Sequence, residues 1–242
     1  MKEKDPKKRQ NMKRVWERYC TAAFSYTNKL DQQQFESVSK HYDRNYGKLL
    51  PNDKHAKILD IGSGAGHFLY YLKQKGYDSY WGIDISSEMV QFVKLNITER
   101  IENADVFDFL KDRESMYDVI IGNDLIEHIS KERILDLLDL IYLSLKPKGR
   151  VILKTPNMCA PFALSARYLD FTHEVGFTEH SLAAVLIIAN FQRVIILPTS
   201  QRFSSLRLMM MRFLYYIFGG VGAPKCLTSN IIGMGIKPAN SR

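Results

Sequence analysis

A glycine-rich loop follows a short apolar run near residue 60, and its spacing restricts the ligand that it can bind. The loop runs Asp60-Ile61-Gly62-Ser63-Gly64-Ala65-Gly66-His67. A dinucleotide-binding loop, GxGxxG/A, would require glycine or alanine where this chain has His67. The Asp60 carboxylate would repel a pyrophosphate and attract an ammonium group. S-adenosylmethionine (SAM) carries an ammonium on its methionine end, so the loop favours SAM over NAD(P).

Two further acids end the next two predicted strands, residues 80–85 and 101–105. Asp84 can accept two hydrogen bonds from ribose hydroxyls. Asp105 can accept a hydrogen bond from the adenine amino group, with Val106 against the ring. Either acid alone is also explained as a helix N-cap or a turn residue. Three acids at the ends of three successive strands favour a nucleoside ligand.

A parallel sheet would bring these acids to one edge, and the chain alternates predicted strands with predicted helices. We predict an α/β fold with a doubly wound, seven-stranded, mostly parallel sheet, N-terminal helices and an apolar helical insertion before the last strand. Residues 1–55 are interpreted as a basic segment with a helical cap, and 56–242 as the main domain, including a basic apolar insertion over 198–228. The predicted strands are 56–61, 80–85, 101–105, 117–122, 150–155, 192–197 and 230–237, and the predicted helices after residue 55 include 67–75, 88–95, 131–145 and 179–189.

Five segments between Ile58 and Asn157 resemble the successive motifs of class I SAM-dependent methyltransferases, in the branch that includes ubiquinone-biosynthesis O-methyltransferases. They are ILDIGSGAGHF, WGIDIS, NADVFDF, YDVIIGNDLIEHI and LKPKGRVILKTPN. The resemblance implies SAM as the cofactor, bound with Asn123 beside the sulfonium, but does not specify the methyl acceptor. The predicted cofactor-binding residues are Asp60, Gly62, Ser63, Gly64, Gly66, Asp84, Ile85, Asp105, Val106 and Asn123.

The acceptor side begins directly after the fourth predicted strand, at residues 123–128. In similar O-methyltransferases a Glu-His pair borders the acceptor here, which implies His128 as a general base oriented by Glu127 or Asp124. The alternative is that His128 only packs or caps the loop. This loop lacks the Asn/Asp-Pro-Pro-aromatic tetrad of enzymes that methylate exocyclic base nitrogens, which disfavours a nucleic-acid acceptor.

A second group of polar residues lies at 167–178, between the fifth strand and the next helix. Thr178 precedes Glu179 and is best explained as a helix N-cap. The Asp-Phe-Thr-His-Glu sequence ending at Glu174 resembles segments of methyltransferases of bacterial surface polysaccharide and glycolipid synthesis. His173, Glu174 and Asp124 could form a metal site, but their spacing does not require one. We therefore predict His128, His173, Glu174 and Asp124 as catalytic residues and assign no metal.

The formal net charge of +8 is concentrated at the two ends of the chain. Residues 1–14 carry +5 and residues 198–242 carry +6, the latter without any Asp or Glu, so the middle carries −3. Basic ends indicate an anionic partner, such as a membrane surface or nucleic acid, or simply solvated termini. No apolar run is long enough to span a bilayer, and the three isolated cysteines indicate a reducing compartment. We expect a cytoplasmic protein, with peripheral contact at the inner face of the membrane as an open alternative.

Residues 204–218 are too short to span a bilayer and too apolar to remain in water. The segment is expected to act as a lid or core element, a subunit contact or an interfacial membrane anchor. The sequence as a whole favours O-methylation of a sugar or glycan of the cell surface. The alternatives are a small isoprenoid or aromatic acceptor, and, less favoured, an RNA-binding or RNA-modifying protein. The oligomeric state is left open.

Overall fold

The structure is a computed structural model that describes residues 15, 30–160, 163–200, 205–218 and 225–239. Within these ranges seven strands form one sheet with the order β3-β2-β1-β4-β5-β7-β6. The strands are β1 (Ile58–Ile61), β2 (Tyr80–Asp84), β3 (Ile101–Asn103), β4 (Tyr117–Asn123), β5 (Leu145–Pro156), β6 (Gln192–Pro198) and β7 (Asn230–Ile236). The predicted α/β fold is confirmed. The chain divides into two compact units, Met1–Phe109 and Leu110–Arg242.

The first unit contains three parallel strands and the helices α1 (Gln32–Tyr46), α2 (His67–Gln74), α3 (Ser87–Asn96) and most of α4 (Val106–Leu110). α1 begins at Asp31, whose side chain accepts a hydrogen bond from the Gln34 N–H at 2.8 Å, a favourable N-cap. Aromatic side chains join α1 to α2, because Tyr42 and Tyr46 pack edge-on against Phe68. Residues 1–14 and 16–29 of the predicted N-terminal region lie outside the described residues.

The second unit contains β4 to β7 and the helices α5 (Ile134–Ser144), α6 (Ala163–Leu169), α7 (Glu179–Ile188) and α8 (Ser205–Phe218). β5 runs parallel to β4, whereas β7 is antiparallel to both of its neighbours, β5 and β6. Thr178 caps α7 through a reciprocal capping box with Ser181, as its position predicts. α8 is the predicted helical insertion between the last two strands.

Several element boundaries differ from those that the sequence predicts. The predicted helix over 131–145 is a short 3₁₀ turn at Lys131–Arg133 followed by α5, and β5 begins at Leu145 rather than at residue 150. Pro147, Lys148 and Gly149 are accommodated inside β5 by a register shift between the Tyr117 and Val119 pairs. β3 ends at Asn103, so Asp105 lies beyond the strand, directly before α4.

The free cysteines among the described residues are Cys159 and Cys226, and no helix in the described ranges is long and apolar enough to cross a bilayer.

Candidate functional site

The glycine loop of the first unit is held by backbone hydrogen bonds and by left-handed glycines. The N–H groups of Gly62 and Ser63 both donate to the Ile83 carbonyl at 2.9 Å, which joins the end of β1 to the end of β2. Gly66 has φ +77° and precedes α2, and a Cβ there would lie 2.8 Å from Val93 Cγ2. Both the backbone conformation and the available space therefore require glycine at this position.

Asp60 lies at the start of this loop, buried and unpaired. It is only 1% exposed, and neither carboxylate oxygen has a hydrogen-bond partner among the described residues. Burial raises its pKa to about 8, and the charge of Asp84 adds to the rise. A buried carboxylate without a donor is costly, and a ligand ammonium would supply both the charge and the donors that it lacks. The first unit therefore fits the methionine end of SAM.

Asp84 fixes the loop through both of its carboxylate oxygens. Oδ2 accepts from the Gly64 N–H at 2.7 Å, and Oδ1 accepts from the Ser86 N–H at 2.8 Å. Burial raises the pKa of Asp84, and these two hydrogen bonds oppose the rise. The adjacent Ile85 is 46% exposed, which leaves an apolar surface beside the acid for a nucleoside ring.

Asp105 uses its side chain locally. Its Oδ1 accepts a hydrogen bond from the Phe107 N–H at 2.8 Å, so it caps α4 as a turn residue does. Val106, the first residue of α4, is partly exposed. Adenine binding by this pair stays a prediction.

In the second unit, β4 ends at Asn123, and the chain then turns sharply. Asp124 has φ +51°, an uncommon conformation for a non-glycine residue. Its N–H donates to the Lys154 carbonyl, and its carboxylate forms a 2.5 Å ion pair with Lys154 Nζ. The side chain predicted to orient His128 is thus engaged by Lys154 instead.

His128 lies in the 3₁₀ turn Ile126–His128, and a threonine orients its ring. Thr172 Oγ1 is 2.8 Å from His128 Nδ1 and donates its own proton to Asp170 Oδ1 at 2.6 Å. Since that hydroxyl proton is directed at Asp170, the threonine oxygen accepts from Nδ1–H of His128. This places the basic lone pair of the imidazole on Nε2. The structure thus places Thr172 and Asp170 at Nδ1, and an orienting role for Glu127 or Asp124 stays a prediction.

The segment that carries Thr172 and His173 is anchored to the turn by backbone groups. The Glu127 carbonyl accepts hydrogen bonds from the N–H groups of Glu174 and Val175 at 2.8 and 3.1 Å. The guanidinium of Arg167, from α6, donates to the carbonyls of His173 and Glu174. Glu174 itself is exposed, so this anchoring uses its backbone rather than the carboxylate that we predicted to be catalytic.

His173 packs against His128, with ring centroids 4.8 Å apart. Burial lowers the pKa of His128 below the ordinary value of 6.5, and the neighbouring His173 lowers it further. The His128 ring is therefore neutral near pH 7. Glu127 is buried, and neither of its carboxylate oxygens has a hydrogen-bond partner among the described residues. Burial, followed by the charge of Asp124, raises the pKa of Glu127 well above 4.5.

A divalent ion would find one group of candidate donors among the described residues: Glu127, His128 and His173, with ligand atoms within 4.8 Å of one another. This set differs from the His173, Glu174 and Asp124 set that the sequence offers. Thr172, Arg167 and Lys154 were not predicted as site residues. Only the Asp-Phe-Thr spacing, typical of a turn in which aspartate accepts from the residue two positions on, hints at Thr172.

A family model described as a methyltransferase domain matches residues 31–195. The chain is 28% identical over 149 residues to the carboxy-S-adenosyl-L-methionine synthase of Campylobacter jejuni subsp. doylei, covering 57% of this chain and 60% of that protein. It is 28% identical over 153 residues to the phosphoethanolamine N-methyltransferase of Plasmodium falciparum, covering 59% and 56%. The chain thus spans about 60% of the length of these curated relatives.

Solved structures share the fold. A SAM-dependent methyltransferase from Archaeoglobus fulgidus superposes with a TM-score of 0.67 at 22% identity, covering 84% of this chain and 94% of that one. The 1,6-didemethyltoxoflavin-N1-methyltransferase of Burkholderia thailandensis, with bound 1,6-didemethyltoxoflavin and S-adenosylhomocysteine, superposes with a TM-score of 0.60 at 16% identity, covering 95% of this chain and 90% of that one. With a family model over more than half of its length, the chain belongs to the class I SAM-dependent methyltransferases, whose cofactor is SAM.

Proposed function

We propose that this chain transfers the methyl group of SAM to a hydroxyl group, with His128 as the general base. The observation that carries the proposal is the Asp170–Thr172–His128 array, with contacts of 2.6 and 2.8 Å. An ordered partner that fixes the tautomer of a half-buried histidine is the usual requirement for a base. A histidine that merely packs would not need a hydroxyl and a carboxylate in series.

When bound, SAM supplies an electrophilic methyl group on a sulfonium. The chain's own residues contribute positioning and proton transfer. Asp60 binds the ammonium, and Asp84 holds the loop in place for the ribose. His128 accepts the acceptor's hydroxyl proton at Nε2, so that the oxygen attacks as it loses that proton. The imidazolium formed is stabilised through Thr172 by the Asp170 carboxylate. Alignment of acceptor and methyl group supplies most of the acceleration.

The acceptor proposed is a sugar or glycan of surface polysaccharide or glycolipid synthesis. The polar segment 170–174 supports it, because hydroxyl-rich ligands need several hydrogen-bonding groups near the base. A small isoprenoid or aromatic hydroxyl is the alternative. Two relatives are named for reactions other than O-methylation, a carboxy-S-adenosyl-L-methionine synthase and a phosphoethanolamine N-methyltransferase. The assay must therefore identify the product.

The test is a screen of nucleotide sugars, lipid-linked saccharides and quinol-type phenols for release of S-adenosylhomocysteine, with the product mass measured. We expect a mass gain of one methyl group on an oxygen. His128→Ala should lower kcat about a hundredfold or more and leave SAM affinity unchanged, because the base acts only in the chemical step.

His180→Ala is the matched control, since His180 is an exposed histidine on the same unit. Its kcat should equal that of the wild type. Wild-type turnover in His128→Ala would refute the base. Transfer to nitrogen, or release of a SAM derivative without any acceptor, would refute the proposed reaction.

A further inference from the structure

One face of α8 exposes apolar side chains to solvent. Five large ones, between 51% and 82% exposed, are Met209, Met210, Phe213, Tyr216 and Ile217. At 100° per residue these five positions fall within about 120° of the helix circumference. They therefore form one continuous stripe rather than scattered exposures. A stripe of this kind on a 14-residue helix is typical of a docking surface.

Basic charge accompanies the stripe. Arg212 is exposed, and its position on the helix is about 40° from that of Tyr216, at the edge of the stripe. The surrounding residues, 198–242, contain six Lys or Arg and no acid. A second copy of the chain would bring this +6 segment against its own equivalent across a two-fold axis, where like charges repel. An anionic surface offers the complementary charge.

The length of α8 sets how it would bind a bilayer. Fourteen residues extend about 21 Å, which is shorter than the ~30 Å hydrocarbon core. The helix can therefore lie in the interface with its stripe in the acyl boundary and Arg212 among the headgroups, but cannot span the bilayer.

We propose that α8 binds an anionic lipid surface through this stripe. A second exposed group, Tyr168, Leu169 and Phe171, directly precedes Thr172 of the base array in the sequence and is 75% to 90% exposed. A membrane-bound enzyme with apolar side chains next to its acceptor residues fits an amphiphilic acceptor, with the methylated hydroxyl on its polar head. The amphiphilic acceptor rests on the proposed function, whereas docking by α8 does not.

The test is cosedimentation of the full chain with phosphatidylcholine vesicles, with and without phosphatidylglycerol. We expect binding to the anionic vesicles only, weakened by added salt. Phe213→Ser combined with Tyr216→Ser should lower the partition coefficient about tenfold or more. Arg212→Glu should lower it about fivefold or more. The control removes two exposed apolar side chains elsewhere, Leu95→Ser with Ile188→Ser, and should bind like the wild type.

SAM affinity and circular dichroism identify any variant that has lost its fold. Met209→Gln with Met210→Gln then repeats the test on the same stripe. The proposal is wrong if the wild type stays in the supernatant, or if stripe and control variants bind equally. It is also wrong if size-exclusion chromatography shows a dimer that the stripe variants dissociate while vesicles bind nothing, because a second copy then covers α8. If the wild type binds vesicles but transfers no methyl group to any acceptor tested, the proposed reaction is rejected and docking by α8 still stands.

Discussion

Asp60 and His128 are the residues whose protonation matters most to the proposed chemistry, and burial shifts their pKa values in opposite directions. Burial of the carboxylate raises the pKa of Asp60 to about 8, whereas burial of the imidazole lowers the pKa of His128 below 6.5. Each shift suits the role assigned. An acid near its pKa accepts an ammonium with release of a proton, and a neutral imidazole is ready to accept a proton.

Removing the Thr172 hydroxyl tests the base array. Thr172→Val keeps the shape of the side chain but removes the partner of Nδ1, so the imidazole is no longer held in one tautomer. We expect kcat to fall about tenfold to a hundredfold while SAM affinity is unchanged. The Thr172 oxygen accepts from Nδ1–H and so favours the charged imidazolium, and without this acceptor the acid limb of the kcat profile should move to lower pH in the variant. In the wild type that limb should lie below pH 6.5.

A purely structural Thr172 would lower stability without displacing the acid limb. The measurement is therefore the full pH dependence of kcat for both proteins, together with urea unfolding. Thr172→Ser, which restores the hydroxyl, should recover most of the rate. An unshifted profile in Thr172→Val would contradict the assigned hydrogen bonds.

Asp60→Asn should separate binding from stability. SAM affinity should fall about tenfold to a hundredfold, because the charge that meets the ammonium is gone. In the wild type, affinity should rise with pH up to about 8, as the carboxylate loses the proton that competes with the ligand. Calorimetry across that pH range, in buffers with different ionisation enthalpies, measures both the affinity and the proton released.

The free energy of unfolding without SAM should fall as pH rises, opposite to the change in SAM affinity. The native pKa of Asp60 lies above its ordinary 3.8, so the native state holds a proton that the unfolded chain has lost, and stability declines as pH rises from about 4 to about 8. A neutral amide at this position would carry no such cost, and the Asp60→Asn protein without SAM should melt roughly 5 °C above the wild type at about pH 8.5. Equal melting temperatures there would contradict an uncompensated carboxylate.

At the scale of elements, two side chains tie the segment that follows α8 to the rest of its unit. Glu179, in the first turn of α7, accepts from the N–H groups of Lys225 and Cys226. Asn157, just after β5, donates its amide to the carbonyls of Cys226 and Thr228 at 2.9 and 3.0 Å. Glu179 and Asn157 are both buried, so they hold residues 225–228 in place at the start of β7.

Glu179→Gln tests this anchor. Burial would raise the pKa of Glu179, but the N–H groups of Lys225 and Cys226 lower it below 4.5 overall. The carboxylate thus stabilises the fold above pH 4.5, and that contribution disappears as pH falls through the lowered native pKa. We expect a loss of about 2 kcal/mol near pH 7 in urea unfolding, shrinking toward zero in acid. A loss of the same size in acid and at neutral pH would show that charge is not involved.

The sequence predicts most of the elements because their signals are local. Glycines 62, 64 and 66 mark the turn after β1, and Thr178 marks the start of α7. The base array could not be predicted in the same way, since Thr172 and His128 are 44 positions apart and meet only through packing. The partner of Asp124 could not be predicted for a related reason. Lys154, from β5, pairs with Asp124, and no pattern in the sequence specifies that pairing.

At the scale of the whole molecule, charge separates the candidate partners. The net charge of +8 is the sum of a mildly acidic middle and two basic ends of the chain. Such basic ends attract any polyanion weakly. Specific recognition of nucleic acid needs groups that hold bases, and residues 123–126 lack the prolines and aromatic ring of a base clamp. Electrostatic attraction between basic side chains and phosphates alone weakens as the salt concentration rises.

RNA binding should therefore be weak and unspecific. We expect filter binding of RNA at low salt to fall steeply on the way to physiological salt, without preference for sequence, and RNA should release no S-adenosylhomocysteine. The matched control is binding of a polyanion without bases, such as heparin, which should show the same salt dependence. Salt-resistant RNA binding, or a methylated base, would support the nucleic-acid alternative instead.

The antiparallel pairing of β6 with β7 places the two ends of the intervening chain opposite each other, with Pro198 across from Ile231. An excursion that leaves and returns at one point can be lengthened, shortened or exchanged at small entropic cost, since the closure term grows only with the logarithm of its length. Sequence changes within residues 200–224, between the anchored ends of this excursion, should therefore leave the strands that carry Asn123 and Lys154 undisturbed. A graft of the corresponding excursion from another member of the family should therefore fold, and if α8 docks on lipid as proposed, the graft should replace this chain's vesicle binding with that member's.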